Sequence, residues 1–267
     1  MKNLSEALCV CAFAVGCARA PAASSPGADV RSRFLAEFAG RASTRGAGML
    51  SVTFGSRSRG GLNTRWAADG DSLAVVAYAG PVRAFDATVL DDSVYIALRP
   101  YQLWIEGLVP GAEGFGAEGL VFVARPWDFQ PAWVRSGIER ARVEPMEGGY
   151  RLDGTFAGEG KEHPFTLELN RDAEPVRLRI QHRDHERTLV TVRYGPVRRY
   201  EHGRVPRWIE WSRPSARMRL EIEEQSRAKP MSRWVPPRAG DDWTILTLED
   251  PFAREVLERV LGSEELR

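Results

Sequence analysis

The chain has 267 residues, with 37 Lys and Arg against 36 Asp and Glu, for a formal net charge of +1. That balance argues against a nucleic-acid binder, which carries a basic excess, and no apolar run reaches the about 20 residues that a membrane-spanning helix needs. Cys9, Cys11 and Cys17 are the three cysteines of the chain, so everything after Cys17 is without a disulfide framework or a thiolate metal site.

In chain order, the first feature is Lys2, then the apolar run from Ala7 to Val15, then Gly16 and Cys17. A basic start, a short apolar core and small residues before a cleavage point make a secretory signal. Ala14-Val15-Gly16-Cys17 resembles the lipobox of bacterial lipoproteins. The resemblance implies removal of residues 1–16, with a diacylglycerol and an N-acyl chain attached covalently to Cys17; no other cofactor is expected. The alternative is an ordinary signal cleaved near Ala20. Each buried CH₂ of such an anchor contributes about 0.8 kcal/mol. Ala18 stands where an Asp would favour retention in the inner membrane, which implies an outer-membrane protein facing the periplasm. Residues 17–28, rich in Ala, Pro and Ser, read as a flexible tether. Residues 29–267 read as one domain with a substantial core.

Asp29 to Ala39 reads as a helix capped by Asp29, because Val30, Phe34 and Phe38 recur four apart. The period then shortens to two. Met49 to Phe54, Leu62 to Trp66, Ser72 to Tyr78, Ala84 to Leu90 and Val94 to Leu98 are strand candidates. Tyr101 to Trp133, with its Gly, Pro and aromatic residues, reads as short helices and loops. Alternation is strict in Tyr150 to Phe156, Phe165 to Leu169, Val176 to Ile180 and Met218 to Ile222, which marks half-buried strands. Short polar turns between them predict antiparallel hairpins. Asp250-Pro251 opens a last helix, with Asp as cap and Pro at its first position, and with Phe252, Val256, Leu257, Val260 and Leu261 as its apolar stripe. The fold class is mainly β, in the α+β sense. About ten antiparallel strands must curl, which predicts an unclosed barrel with helices as a lid.

Several stretches together carry a family resemblance. They are Ala47-Gly48-Met49-Leu50-Ser51-Val52, Gly60 to Trp66, Asp69 to Leu73, Tyr78-Ala79-Gly80-Pro81-Val82, Val192-Arg193-Tyr194, Val205 to Glu210 and Arg219 to Ile222. Their order is similar to that of the outer-membrane lipoprotein receptor LolB and, more loosely, of its soluble partner LolA. The resemblance implies an apolar cavity that holds acyl chains, and as partners a periplasmic lipoprotein carrier, its lipoprotein cargo and the membrane. It also implies a protruding loop for membrane insertion, here at Pro81 and Val82. Val82 stands at the family's Leu position and is followed by Arg83 instead of Gly. Trp66, Tyr78, Phe85, Trp104, Phe122, Trp127 and Trp133 are the candidates for lining the cavity. A monomer is expected.

Catalytic and metal motifs are weak. Gly114 to Gly119 matches G-x-G-x-x-G but follows Pro110 and Gly111 instead of a strand, so it reads as a loop. His182 and His185 flank Asp184 in a turn, and His163 and His202 also read as turn residues, so no zinc site is expected. Glu223 and Glu224 read as a charged strand end. Two functions follow: a non-enzymatic, lipid-anchored protein that binds an apolar ligand and receives lipoproteins for outer-membrane insertion, or a scaffold or assembly factor whose core is filled. Small inward residues would favour the first, and large inward aromatics the second.

Overall fold

The structure is a computed structural model. It describes residues 26–39, 43–54, 57–70, 72–90, 93–108, 129, 132–158, 161–181, 188–200, 203–212, 216–227, 238–247, 250–253 and 255–256. Cys17, Phe122, Trp127, the 114–119 motif, His182, His185 and His202 lie outside the described residues.

Helix α1 (Pro26–Phe34) runs into a π-helical turn (Leu35–Ala39). It starts three residues before the expected cap, because Pro26 occupies the first turn, where its missing N–H costs nothing. Six strands follow as a meander: β1 (Thr44–Phe54), β2 (Arg57–Asp69), β3 (Ser72–Ala79), β4 (Val82–Leu90), β5 (Ser93–Leu98) and β6 (Leu103–Leu108). Helix α2 (Ala132–Arg140) leads into a second meander of β7 (Arg142–Met146), β8 (Gly149–Gly158), β9 (Lys161–Asn170), β10 (Pro175–Gln181) and β11 (Thr188–Tyr194). A small hairpin, β12 (Val197–Tyr200) and β13 (Gly203–Pro206), precedes β14 (Trp208–Ser212) and β15 (Ala216–Arg227), and β16 (Thr244–Thr247) closes the series.

Fourteen of these strands make one sheet in the order β16-β6-β5-β4-β3-β2-β1-β15-β14-β11-β10-β9-β8-β7. Strands β14 and β15 therefore splice the two meanders, with β15 pairing β1 and β14 pairing β11. The two outermost strands, β7 and β16, do not pair with each other, so the curled sheet is an unclosed barrel. The sheet is wider than the ten strands expected. The extra strands come partly from the region read as loop, where Leu103–Leu108 is sheet, and from β16, which pairs parallel to β6. Isolated four- to six-residue strands carry too few alternations to be read from period alone.

Local chemistry sets the turns. Between β9 and β10 the Asn170 carboxamide oxygen accepts from the backbone N–H of Asp172 and of Glu174, both at 2.9 Å, a side-chain turn that fixes the hairpin register. Between β3 and β4, Gly80 takes φ +59°, a left-handed conformation that glycine adopts without steric cost. At the C-terminus the Asp250 carboxylate accepts from Phe252 N–H at 2.8 Å, as expected of a cap. The helical turn at 251–253 buries Ala253, not Phe252, which is 55% exposed; the face that packs inward is Ala253 with Val256. His163 lies inside β9 and not in a turn.

Candidate ligand-binding face

Alternation along the strands gives the sheet one apolar inner face. In β3 to β6, the aligned residues Val75, Ala87, Ile96 and Ile105 all belong to, or pack on, a single hydrophobic cluster. The same cluster continues through Leu50 of β1, Leu220 of β15, Ile209 of β14 and Val192 of β11 to Leu178, Leu167 and Leu152 of β10, β9 and β8. One-residue slips would turn any of these rows outward, so the cluster itself holds the register.

The two ends of this face are furnished differently. Over β7 to β10 the aromatics are dense. Phe156 and Phe165 stack at 4.0 Å between ring centroids, and Trp133 of α2 meets Phe156 edge-on at 5.5 Å. Phe34 stacks on Phe38 at 5.3 Å, Phe129 meets Phe34 edge-on at 4.9 Å, and Phe129 lies 5.8 Å from Tyr194. Such pairs contribute about 0.5–1.5 kcal/mol each beyond their area. Gly154 makes this density possible: a Cβ there would sit 2.9 Å from two carbons of the Phe165 ring and 3.1 Å from the Ala141 methyl. Helices α1 and α2, with Phe34, Val134 and Ile138 buried in the cluster, cover this end as a lid.

The β3–β6 end is lined by small and aliphatic residues instead. Leu73, Val75, Ala77, Val89, Val94 and Ile96 are buried, and Phe85 is the one aromatic among the described inward residues of these four strands. Leu246, Ala253 and Val256 of the C-terminal segment share the cluster from the edge.

The expected lining residues separate accordingly. Trp66 is on the inner face and 3% exposed. Its ring lies over Gly46 of β1, where a Cβ would come within 2.2 Å of it, so it leans toward β1 and away from β3. Phe85 is half-buried on the inner face, and Trp133 is part of the aromatic filling. Tyr78 and Trp104 fall on the other face. Their partners are Arg83 for Tyr78 and Ala97 for Trp104, one residue out of phase with the apolar row. Trp104 is nonetheless buried, and its indole N–H donates to Glu106 at 2.7 Å. Leu103, Trp104 and Ile105 are buried in succession, so this strand shows no alternation from which period alone could orient the Trp.

Gly80 and Pro81 form the β3–β4 turn, and Val82, the first residue of β4, is 56% exposed. Arg83 beside it is tied down: its guanidinium binds the Asp86 carboxylate, which also accepts from Arg99 at 2.8 Å. The Asp86 side chain is 3% exposed. The Arg99 guanidinium in turn lies 5.7 Å from the Trp243 ring. Because β3 to β6 alternate in direction, the turn bearing Tyr101, 67% exposed, emerges at the same rim as Val82. Sequence reading missed this buried carboxylate. A lone Asp between Phe85 and Ala87 in an apolar strand was its signal.

Two further inner-face residues, Tyr194 of β11 and Trp211 of β14, were also missed. Both are buried, and among the described residues neither Tyr194 Oη nor Trp211 Nε1 has a hydrogen-bond partner. Burial pushes the Tyr194 hydroxyl well above the ordinary tyrosine range, since a phenolate there would be desolvated. Among the described residues no group of three or more His, Cys, Asp or Glu is placed to hold a metal ion, and no helix is long and apolar enough to cross a membrane.

Comparison with solved structures finds the same unclosed β-barrel with helices over an apolar inner face elsewhere. A LolA superfamily protein from Nitrosomonas europaea superposes with a TM-score of 0.55 at 12% identity, over 76% of this chain and 94% of that one. A domain described as a putative outer-membrane lipoprotein-sorting protein from Vibrio parahaemolyticus gives 0.53 at 12% identity, over 75% and 91%. A DUF1329 family protein from Desulfovibrio piger gives 0.53 at 10% identity, over 74% and 90%. The chain has the fold of the LolA superfamily; at such identity the likeness is one of fold and leaves function to be argued from the site. No protein-family model matches the sequence, and no curated protein matches it.

Proposed function

We propose that the protein is a lipid-anchored envelope protein that binds acyl chains against the β3–β6 end of its inner face and receives lipoproteins for insertion into the outer membrane. The observation that carries this reading is the contrast across one continuous apolar surface: aromatic side chains fill it over β7–β10, while small and aliphatic ones line it over β3–β6. An apolar lining with few ring fillers suits a flexible chain, and removing that chain from water supplies the binding energy. Without a nucleotide motif, transfer runs downhill between sites of different affinity.

In this reading Cys17 bears the anchor, and the protein works as a monomer at the periplasmic side of the outer membrane, taking cargo from a periplasmic carrier. The Pro81–Val82 turn meets the bilayer. Arg83, Asp86 and Arg99 hold that turn in a fixed direction. The sheet performs no chemistry on the ligand. The aromatic filling of β7–β10 supports a second reading, an assembly scaffold with no ligand.

Native mass spectrometry of the protein purified from bacterial envelopes separates the two. A co-purifying lipid or acylated peptide is expected. A ligand-free protein that also takes up no added lipid would leave the scaffold reading standing.

A further inference from the structure

Tyr194 and Trp211 put polar hydrogens into an otherwise apolar surface. Both side chains are more than nine-tenths buried. Their strands are paired, with Tyr194 opposite Ile209 and Trp211 opposite Val192. The two are therefore diagonal neighbours on one face, about 7–8 Å apart at the backbone and within joint reach of a small group. A buried donor has normally exchanged its water for a protein acceptor; among the described residues these two have not. The indole N–H can only donate. The phenol keeps its proton, because burial raises its pKa well above the ordinary value. Two neutral donors side by side make a place for one neutral acceptor with two lone pairs.

We propose that Tyr194 and Trp211 bind the carbonyl oxygen of a fatty-acyl ester, the point at which a lipid's chain meets its headgroup. The inference rests on the acyl-chain reading of the inner face and adds the chemical class of the ligand. An ester fits better than a carboxylate, because an anion in these apolar surroundings would lose its hydration without a countercharge. A bare hydrocarbon would leave both donors unanswered. The position suits the geometry of the face. β11 and β14 lie between the aromatic end and the β3–β6 end, so an ester held there directs its chain across β15, β1 and β2 toward the small residues. At about 4.8 Å per strand spacing, the seven spacings from β14 to β6 span roughly 34 Å.

The test uses methyl laurate and tetradecane, matched in chain length, each displacing a fluorescent apolar probe from the purified protein and from Tyr194→Phe. The wild type is expected to bind the ester about tenfold more tightly than the hydrocarbon, and Tyr194→Phe to lower ester affinity roughly three- to tenfold with hydrocarbon affinity unchanged. The ligand-free variant should melt no lower than the wild type, since the lost hydroxyl had no partner. Trp211→Phe is the second variant, with the same selective loss of ester binding. Equal affinities for ester and hydrocarbon, unchanged in both variants, would overturn the ester site while leaving acyl-chain binding intact. Failure of either ligand to displace the probe would overturn the acyl-chain reading and the ester site with it.

Discussion

The two ends of the inner face were built from the same alternating pattern but to different ends. Over β7–β10, glycine at position 154 lets Phe165 and Phe156 close on each other, and α1 and α2 add Phe34, Phe38 and Trp133 from above. Over β3–β6, alanines occupy inward positions 77 and 87, and no described helix of comparable length contributes rings. The first arrangement resembles an ordinary core, with stability as its product. In the second, small and aliphatic side chains of the sheet make up the described lining. The difference teaches that one hydrophobic cluster can serve two purposes, and that side-chain volume rather than polarity divides them.

Mutations can sharpen or break that division. The largest effect is expected from Phe156→Ala. A fully buried ring stacked on Phe165 should cost about 3–5 kcal/mol of stability by denaturant titration. An equally large loss on truncating Val75 or Ile96 to Ala would erase the distinction between the ends. Gly154→Leu comes next, because it forces carbon into the Phe165 ring; a loss of about 1–3 kcal/mol or more is expected. Ala87→Leu, a similar increase in volume at the other end, should lower acyl-ligand affinity at least tenfold while changing stability by less than about 1 kcal/mol, read by probe displacement and thermal melting. Equal stability losses at positions 87 and 154 would show that both ends are packed alike.

Smaller effects test the margins. Asp86→Ala removes a buried carboxylate from two arginines that are more than a third exposed. Solvent screening limits the expected cost to about 1–3 kcal/mol. Proteolysis at the 80–82 turn should become faster. Tyr194 supplies a pH signature. Its folded pKa is raised, so its contribution to stability is complete below the ordinary tyrosine value of about 10 and is lost as pH rises toward the folded value. Alkaline melting curves of Tyr194→Phe should therefore fall less steeply than those of the wild type over that range.

Much of the architecture was legible because period two survives in long strands. Phe165, Leu167 and Leu169, or Met218, Leu220 and Ile222, have no second way to hide, and the antiparallel order follows from short polar turns such as Asn170 to Glu174. Strand β16 was not legible. Four residues pairing parallel to β6 depend on a partner far away in sequence. The candidate site was legible only in part. Period oriented none of the aromatic candidates: Trp66 and Phe85 turn inward with the apolar row, whereas Trp104 buries its ring on the outer face and donates to Glu106, two residues along the same strand. Tyr194 continues the inward phase of Val190 and Val192, but a tyrosine at such a position has its hydroxyl satisfied in most folds. The missing partner becomes visible only in three dimensions.

The division of the inner face is tested most directly by photocrosslinking. An acyl chain carrying a terminal diazirine would be bound, activated and mapped by peptide mass spectrometry. The account predicts adducts on the inward residues of β3–β6, Leu73, Val75, Val89 and Ile96 among them, and none on Phe156 or Phe165. Adducts concentrated on the aromatic end, or scattered over the outer face, would contradict it.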